Sequence, residues 1–228
     1  MSKALFWDFD GTLVYPDKRW SEKLSEAVKN HGYEIPYEEI RYYLNTGYSW
    51  HYPEISYAGD SAAMWWVKFF SHFDSLYEKY KIPQKAFFNI NMYFRDQILN
   101  SKNYRVYEDA VSTLKKCIEM GYKNYILSNN FPELSVIADG LKLSEYVDFC
   151  IASANVGYEK PRVEIFNYAL RVAEFPDICY MIGDNQNADI TGGKNSGMRT
   201  VFVHGNIYES DADYSCRELS FIPDILEC

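Results

Sequence analysis

From residue 103 onward, short apolar runs alternate with amphipathic segments, and that alternation restricts the fold more than any other feature of the chain. Apolar residues recurring every three or four positions predict helices over 107–120, 133–140, 162–174 and 187–196. Between them lie compact apolar runs at 123–128, 147–151, 178–182 and 199–203. Gly121 stands where a helix C′ glycine belongs. Near the start, Ala4-Leu5-Phe6-Trp7 reads as one more buried strand. A short strand at Ala212-Asp213-Tyr214 and a helix over Pro223-Asp224-Ile225-Leu226 are expected at the end. Strands separated by helices pair in parallel, with helices covering both faces of the sheet. The expected fold class is therefore α/β, a Rossmann-like parallel sheet.

Residues 16–100 interrupt this pattern and carry only helical texture. Trp20, Leu24, Ala27, Val28 and His31 fall at helical spacing. Ala62, Trp66, Phe69, Phe73, Leu76 and Tyr80 predict one long helix, capped by Asp60 or Ser61. A further helix begins near Pro83, with Phe87, Ile90, Phe94 and Ile98 on one face, and a shorter one follows Pro36. The expected organisation is a core domain of residues 1–15 and 101–228, with an inserted all-helical domain of about four helices over 16–100.

Composition narrows the function. The chain has 228 residues, and its 21 tyrosines remove it from the compositional class of disordered proteins. A net charge of −9 argues against nucleic acid and against an anionic membrane surface as partners. Cys117, Cys150, Cys179, Cys216 and Cys228 lie far apart and form no Cys-x-x-Cys pair, so reduced, mostly buried thiols in a cytoplasmic protein are expected. His31, His51, His72 and His204 show no zinc-ligand spacing. No signal peptide is expected, and no apolar stretch reaches the roughly 20 residues that span a bilayer. The assembly stays open between a monomer and a weak dimer.

In an open parallel sheet, ligands sit outside the carboxyl ends of the strands. The first strand ends in Asp8 and Asp10; if it ran through both, they would share a face. The strand at 123–128 ends in Ser128-Asn129-Asn130, and that at 178–182 in Gly183-Asp184, with Asp189 five residues on. Lys160 precedes the helix at 162–174. Crowded carboxylates are costly unless a cation or a shared proton compensates. This set suits a hard cation such as Mg²⁺ together with a phosphate, which Lys160 would help neutralise and Ser128 and Asn129 would meet with neutral donors. One carboxylate can attack phosphorus while the second protonates the leaving oxygen and later activates water.

This constellation resembles the haloacid dehalogenase (HAD) superfamily. Asp8-Phe9-Asp10-Gly11-Thr12 matches its first motif, Ser128-Asn129 the second, Lys160-Pro161 the third, and Gly183-Asp184 with Asp189 the fourth. Essentially the whole chain is covered, and the insertion resembles the helical cap of the first type. The resemblance implies that Asp8 is the nucleophile forming an aspartyl-phosphate, and that Asp10 is the acid/base with its carbonyl on Mg²⁺. Ser128 would bind the transferring phosphoryl group, and Lys160 would steady Asp8. Asp184 would ligate Mg²⁺, and Asp189 would act through a metal-bound water or through Lys160. Thr12 and Asn129 would be supporting donors to phosphate. Asn130 departs from the pattern, since many relatives carry a small residue there, and Arg162 stands where relatives often have an acidic or polar one.

The expected activity is Mg²⁺-dependent hydrolysis of a small phosphomonoester in the cytoplasm. The alternatives are a phosphomutase of the same superfamily and a non-catalytic phosphate- or protein-binding relative. The insertion is rich in rings. Trp66, Phe69 and Phe73 are expected to fill its core, whereas Tyr48, Trp50, His51 and Tyr52, in a loop with Gly47, are candidates for substrate specificity.

Overall fold

The computed structural model describes residues 1–47, 51–205 and 209–226. Six strands, β1 (Lys3–Trp7), β2 (Lys123–Ser128), β3 (Phe149–Ala152), β4 (Ile178–Gly183), β5 (Arg199–Val203) and β6 (Tyr214–Cys216), form one sheet in the order β3-β2-β1-β4-β5-β6. Every neighbouring pair is parallel. The chain winds outward from β1 in both directions, so the switch point lies between β1 and β4.

Among the described residues of the insertion at 16–100 there are five helices: α1 (Arg19–Asn30), α2 (Tyr37–Gly47), α3 (Ala62–Ser71), α4 (Asp74–Lys79) and α5 (Gln84–Ile98). The remaining helices are α6 (Ala110–Glu119), α7 (Leu134–Gly140), α8 (Ser153–Val156), α9 (Val163–Val172), α10 (Gly192–Asn195) and α11 (Ile222–Leu226). Among the described residues, no helix is long and apolar enough to cross a membrane.

Strand periodicity divides the core. Leu5 and Trp7 point to one face of the sheet, where they join a cluster with Leu114, Ile126 and residues of the inserted helices. Ala4 and Phe6 point to the other, against Leu127, Ile165, Phe166 and Met181. The ring-rich stripe that runs through α3 into the turn after it is core, as its spacing predicts: Trp66, Phe69 and Phe73 are at most 5 % exposed.

Several boundaries differ from the sequence pattern. The helix expected from Ala62 to Tyr80 breaks in two. Ser61 caps its start, accepting the Met64 N–H at 3.2 Å, so of the two expected caps Ser61 does the work. At its end the amides of His72 and Phe73 bond three residues back, to Phe69 and Phe70, and that tightened turn separates α3 from α4. The apolar phase survives the break, since Phe73, Leu76 and Tyr77 remain buried. The helix expected at 187–196 is a wide turn over Gln186–Thr191 followed by the short α10, for a reason that belongs to the site. The last strand lies two residues later than expected.

The chain leaves for the inserted helices and returns from them along one path. Tyr15 N–H donates to Arg105 O at 2.9 Å, Tyr107 N–H donates to Leu13 O at 3.0 Å, and Val14 bridges Val106.

Candidate active site

Asp8 follows β1 directly, and its N–H is tied to Ile182 O of β4 at 2.9 Å. Asp184 follows β4, so the two carboxylates flank the switch point. The strand does not run on to Asp10. The amides of Thr12, Leu13 and Val14 all bond Phe9 O, and this turn brings Asp10 back towards the strand end. Gly11 makes the turn at φ +86°, a left-handed conformation that favours glycine. A Cβ there would lie 2.3 Å from Asp184 Oδ2, so glycine is also what lets Asp184 sit against the turn.

Lys160 is 2 % exposed and spends its ammonium on three acceptors: Asp8 Oδ1 at 2.9 Å, Asp189 Oδ1 at 2.6 Å and Leu127 O at 2.8 Å. Burial alone would push its pKa down, but Asp189 and Asp8 outweigh burial and hold it above the ordinary value. Its backbone is held by Asn129, whose Nδ2 donates to Lys160 O at 2.9 Å while its Oδ1 accepts the Lys160 N–H at 2.6 Å.

Asp189 reaches Lys160 because of the wide turn after β4. The Ile190 amide bonds back five residues to Asn185 O, and Asn185 Oδ1 accepts the N–H groups of Asn187 and Ala188. Asp189 Oδ2 in turn accepts the Asn185 N–H at 3.0 Å. Gly183 leaves room for this, since a Cβ there would meet Asp189 Oδ2 at 2.1 Å.

Asp10 is gripped from two sides. Arg19 Nη1 donates to its Oδ1 at 3.2 Å, and Asn130 Nδ2 donates to its Oδ2 at 2.8 Å. Burial raises the Asp10 carboxyl pKa, and Arg19 and Asn130 only partly offset that. Asp184 is raised as well, by burial first and then by the nearby charges of Asp8 and Asp189.

Oxygen atoms of Asp8, Asp184 and Asp189 lie within 4.8 Å of one another. Lys160 is the ammonium among them, so the cluster carries surplus negative charge, and Asp184 is forced towards its neutral form. A hard divalent cation with carboxylate and carbonyl ligands fits that donor set.

A cavity of about 320 Å³ opens above these groups. Asp8, Asp10, Ser128, Asn129 and Lys160 line it, together with Arg19. Pro16, Asp17, Trp20, Asn130, Asn185, Asn187 and Ala188 complete the wall. Five of the expected residues thus meet around one space. Thr12 is fully buried and donates to Asp184 Oδ1 at 3.3 Å, so its hydroxyl supports a carboxylate.

Tyr48 and Trp50 lie outside the described residues. His51 and Tyr52 are exposed and do not line the cavity; Tyr52 donates its hydroxyl to Thr46 O at 2.8 Å. Arg162 neither contacts the cavity nor floats in solvent. It pairs with Glu164 and donates to Glu54 O at 3.0 Å.

Sequence reasoning missed Arg19 and underrated Asn130. Asn130 carried a signal, because it continues the polar run at the end of β2. Arg19 carried none, as it is simply the first residue of an amphipathic helix.

The family model of haloacid dehalogenase-like hydrolases matches residues 2–197. Haloacid dehalogenase-like hydrolase domain-containing protein 3 of Mus musculus is 26 % identical over 210 residues, which cover 90 % of this chain and 82 % of that one. The glyceraldehyde 3-phosphate phosphatase of Pyrococcus furiosus is 27 % identical over 238 residues, 99 % of this chain and 93 % of the other. The HAD-hydrolase YfnB of Bacillus subtilis, solved bound to magnesium, superimposes with a TM-score of 0.77 at 17 % identity, over 100 % of this chain and 99 % of that one.

Proposed function

The chain belongs to the haloacid dehalogenase-like hydrolases, and on that premise we propose that it is a Mg²⁺-dependent phosphatase acting on a small phosphomonoester through an aspartyl-phosphate. One observation carries the reading: Asp8 and a second carboxyl, Asp10, whose pKa burial raises, line the same cavity, with Lys160 2.9 Å from Asp8. A carbon–halogen bond needs no acid at its leaving group, whereas an ester oxygen does. Relatives named as phosphatases support it, among them the Pyrococcus furiosus protein and the phosphoserine phosphatase of Thermus thermophilus.

In this reading an Asp8 oxygen attacks phosphorus, the ester P–O bond breaks, and Asp10 gives its proton to the leaving oxygen. Asp10, now a carboxylate, takes a proton from water. The water oxygen attacks phosphorus, the P–O bond to Asp8 breaks, and inorganic phosphate leaves. Lys160 neutralises Asp8 and the phosphoryl oxygens, Ser128 offers its hydroxyl to them, and Asn129 keeps Lys160 in place. Asp8, Asp184 and the Asp10 carbonyl would hold Mg²⁺, with Asp189 acting through Lys160. Bound there, the ion would neutralise phosphate charge and orient the phosphoryl group.

We read residues 16–100 as a helical cap on a core of residues 1–15 and 101–228. Its contacts support that. Tyr57 N–H donates to Gly157 O at 2.8 Å, on the segment that carries Lys160. Trp66 Nε1 donates to Glu133 Oε2 at 2.9 Å, just beyond the loop of Ser128 and Asn129. The cap would exclude water and select the leaving group. Cavity size and polarity favour a small metabolite over nucleic acid, in a cytoplasmic setting. The test is phosphate release across sugar phosphates, nucleotides and small organic phosphates with Mg²⁺ present. Release from none of them would refute the reading, and transfer to a second hydroxyl without release would make the enzyme a mutase.

A further inference from the structure

Arg19 is buried, at 3 % exposure, although it begins a helix and carries a permanent charge. Its nitrogens are engaged unequally: Nε and Nη1 hydrogen-bond, whereas Nη2 forms an ion pair without hydrogen-bond geometry. Nε donates to Asn103 O at 3.0 Å, Nη1 donates to Asp10 Oδ1 at 3.2 Å, and Nη2 lies 3.1 Å from Asp17 Oδ1. The plane sits over the Tyr104 ring, 3.5 Å from its centroid. Tyr104 is itself fixed, donating its hydroxyl to Ile98 O at 2.9 Å. Such a planar fork, held on a ring face, defines a direction that a lysine ammonium would not.

The one catalytic group that this fork touches is Asp10. Asn130 holds the other Asp10 oxygen, from a loop on the far side of the sequence. The carboxylate therefore cannot turn about its χ2 without losing a hydrogen bond to Arg19, to Asn130 or to both. We propose that Arg19 is a positioning residue for the reaction, orienting the Asp10 carboxyl group for proton delivery to the leaving oxygen.

The placement of Arg19 adds a connection. Asp17 belongs to the segment that leaves for the inserted helices, and Asn103 and Tyr104 to the segment that returns from them. Arg19 thus ties the aim of Asp10 to the point where both connections meet, so the insertion and the acid are held in one register.

The inference rests on the phosphatase reading, and its test separates the two. Proton delivery matters most when the leaving group is poor. Phenyl phosphate releases phenol, with a pKa of about 10, whereas p-nitrophenyl phosphate releases a far more acidic phenol from the same ring framework. The quantity to measure is the ratio of kcat/KM for phenyl over p-nitrophenyl phosphate, with Mg²⁺ present. It reports the step in which the ester bond breaks, and Asp10→Asn supplies the reference for loss of the acid. Arg19→Ala should lower this ratio about tenfold or more, within the usual share of a general acid. A ratio within about threefold of wild type overturns the proposal, however far both constants fall, because a purely structural tie would slow both esters alike. If circular dichroism shows the alanine chain unfolded, Arg19→Lys decides. It keeps the charge and the stem but loses the fork, and the same threefold limit applies to it. If wild-type protein hydrolyses neither aryl ester but releases phosphate from other esters, the same ratio is read on two of those whose leaving alcohols differ in acidity; release from no phosphate ester overturns the phosphatase reading itself, and this inference with it.

Discussion

Asn129 and the backbone of Lys160 clasp one another across 31 residues, with Nδ2 donating to Lys160 O at 2.9 Å and Oδ1 accepting the Lys160 N–H at 2.6 Å. A side-chain amide here imitates a strand partner, and it welds the loop after β2 to the segment that delivers the buried ammonium. We predict that Asn129→Ala, by freeing that segment, lowers kcat on p-nitrophenyl phosphate about 10²-fold, the cost of misplacing a reacting group by about 1 Å. Unchanged kcat in steady-state assays would show that the clasp has no part in aligning Lys160.

Asp8→Asn should abolish turnover of p-nitrophenyl phosphate while the circular dichroism spectrum stays that of wild type. The amide keeps the volume but removes the attacking oxygen anion. Retained turnover would remove Asp8 from the role of nucleophile.

Asp10→Asn should cost roughly 10²–10⁴-fold in kcat/KM on phenyl phosphate, the share usual for a general acid–base. The substitution keeps the shape of the group that Arg19 and Asn130 grip. A loss smaller than about tenfold would contradict the acid/base assignment.

Saturating Mg²⁺ should raise the melting temperature, because the ion relieves the crowding of Asp8, Asp184 and Asp189. At a concentration about 100 times Kd, the linkage is worth about 2.7 kcal/mol, or roughly 5–10 °C for a chain of this length. EDTA should reverse the shift and silence activity, and Asp184→Asn should shrink the shift. Differential scanning calorimetry with and without the ion checks this, and an equal shift in the Asp184 variant would remove Asp184 from the ligand set.

Gly183→Ala should destabilise the protein by about 1–3 kcal/mol through overpacking, because the new Cβ would meet Asp189 Oδ2 at 2.1 Å. Displaced Asp189 would also leave Lys160 with one carboxylate fewer. Urea unfolding measures the loss, and a variant as stable as wild type would mean that the turn after β4 yields freely.

The thiols give a pH prediction. Burial pushes Cys117, Cys150 and Cys216 up to about 12. At pH 8 only about one such thiol in 10⁴ is ionised, and the thiolate is the reactive form. Their contribution to stability is complete below the unfolded thiol pKa of about 8.5, and it is lost as pH climbs towards 12. Native protein should therefore be alkylated by iodoacetamide at these three positions far more slowly than protein in urea. Peptide mapping that found equal rates would refute it.

The strands and the polar residues at their ends were legible because both are local signals. An apolar run such as Ile178 to Ile182 announces a buried strand, and the Gly183-Asp184 that follows announces its end. The family resemblance left Asp189 open between a metal-bound water and Lys160, and the fold sets it 2.6 Å from the Lys160 ammonium. Arg19 was not legible, because its partners come from two segments distant in sequence: Asp10 from the turn after β1, and Asn103 and Tyr104 from the return of the inserted helices. Its own surroundings in sequence look like any helix start. Asn130 seemed a departure from a pattern; the fold makes it one of two donors that hold Asp10.

The same division holds for the molecule as a whole. Periodicity, charge and residue order determined an α/β sheet with carboxylates at its carboxyl edge, because strand burial and chain turns are written in neighbouring residues. Only the tertiary structure decided how those carboxylates differ. Asp8 faces Lys160, and Asp10 lies between Arg19 and Asn130, while Asp184 rests against a glycine turn and a threonine hydroxyl. The sequence makes them three aspartates of one kind; burial and the charges packed around each make them unequal, and those surroundings exist only when distant segments meet.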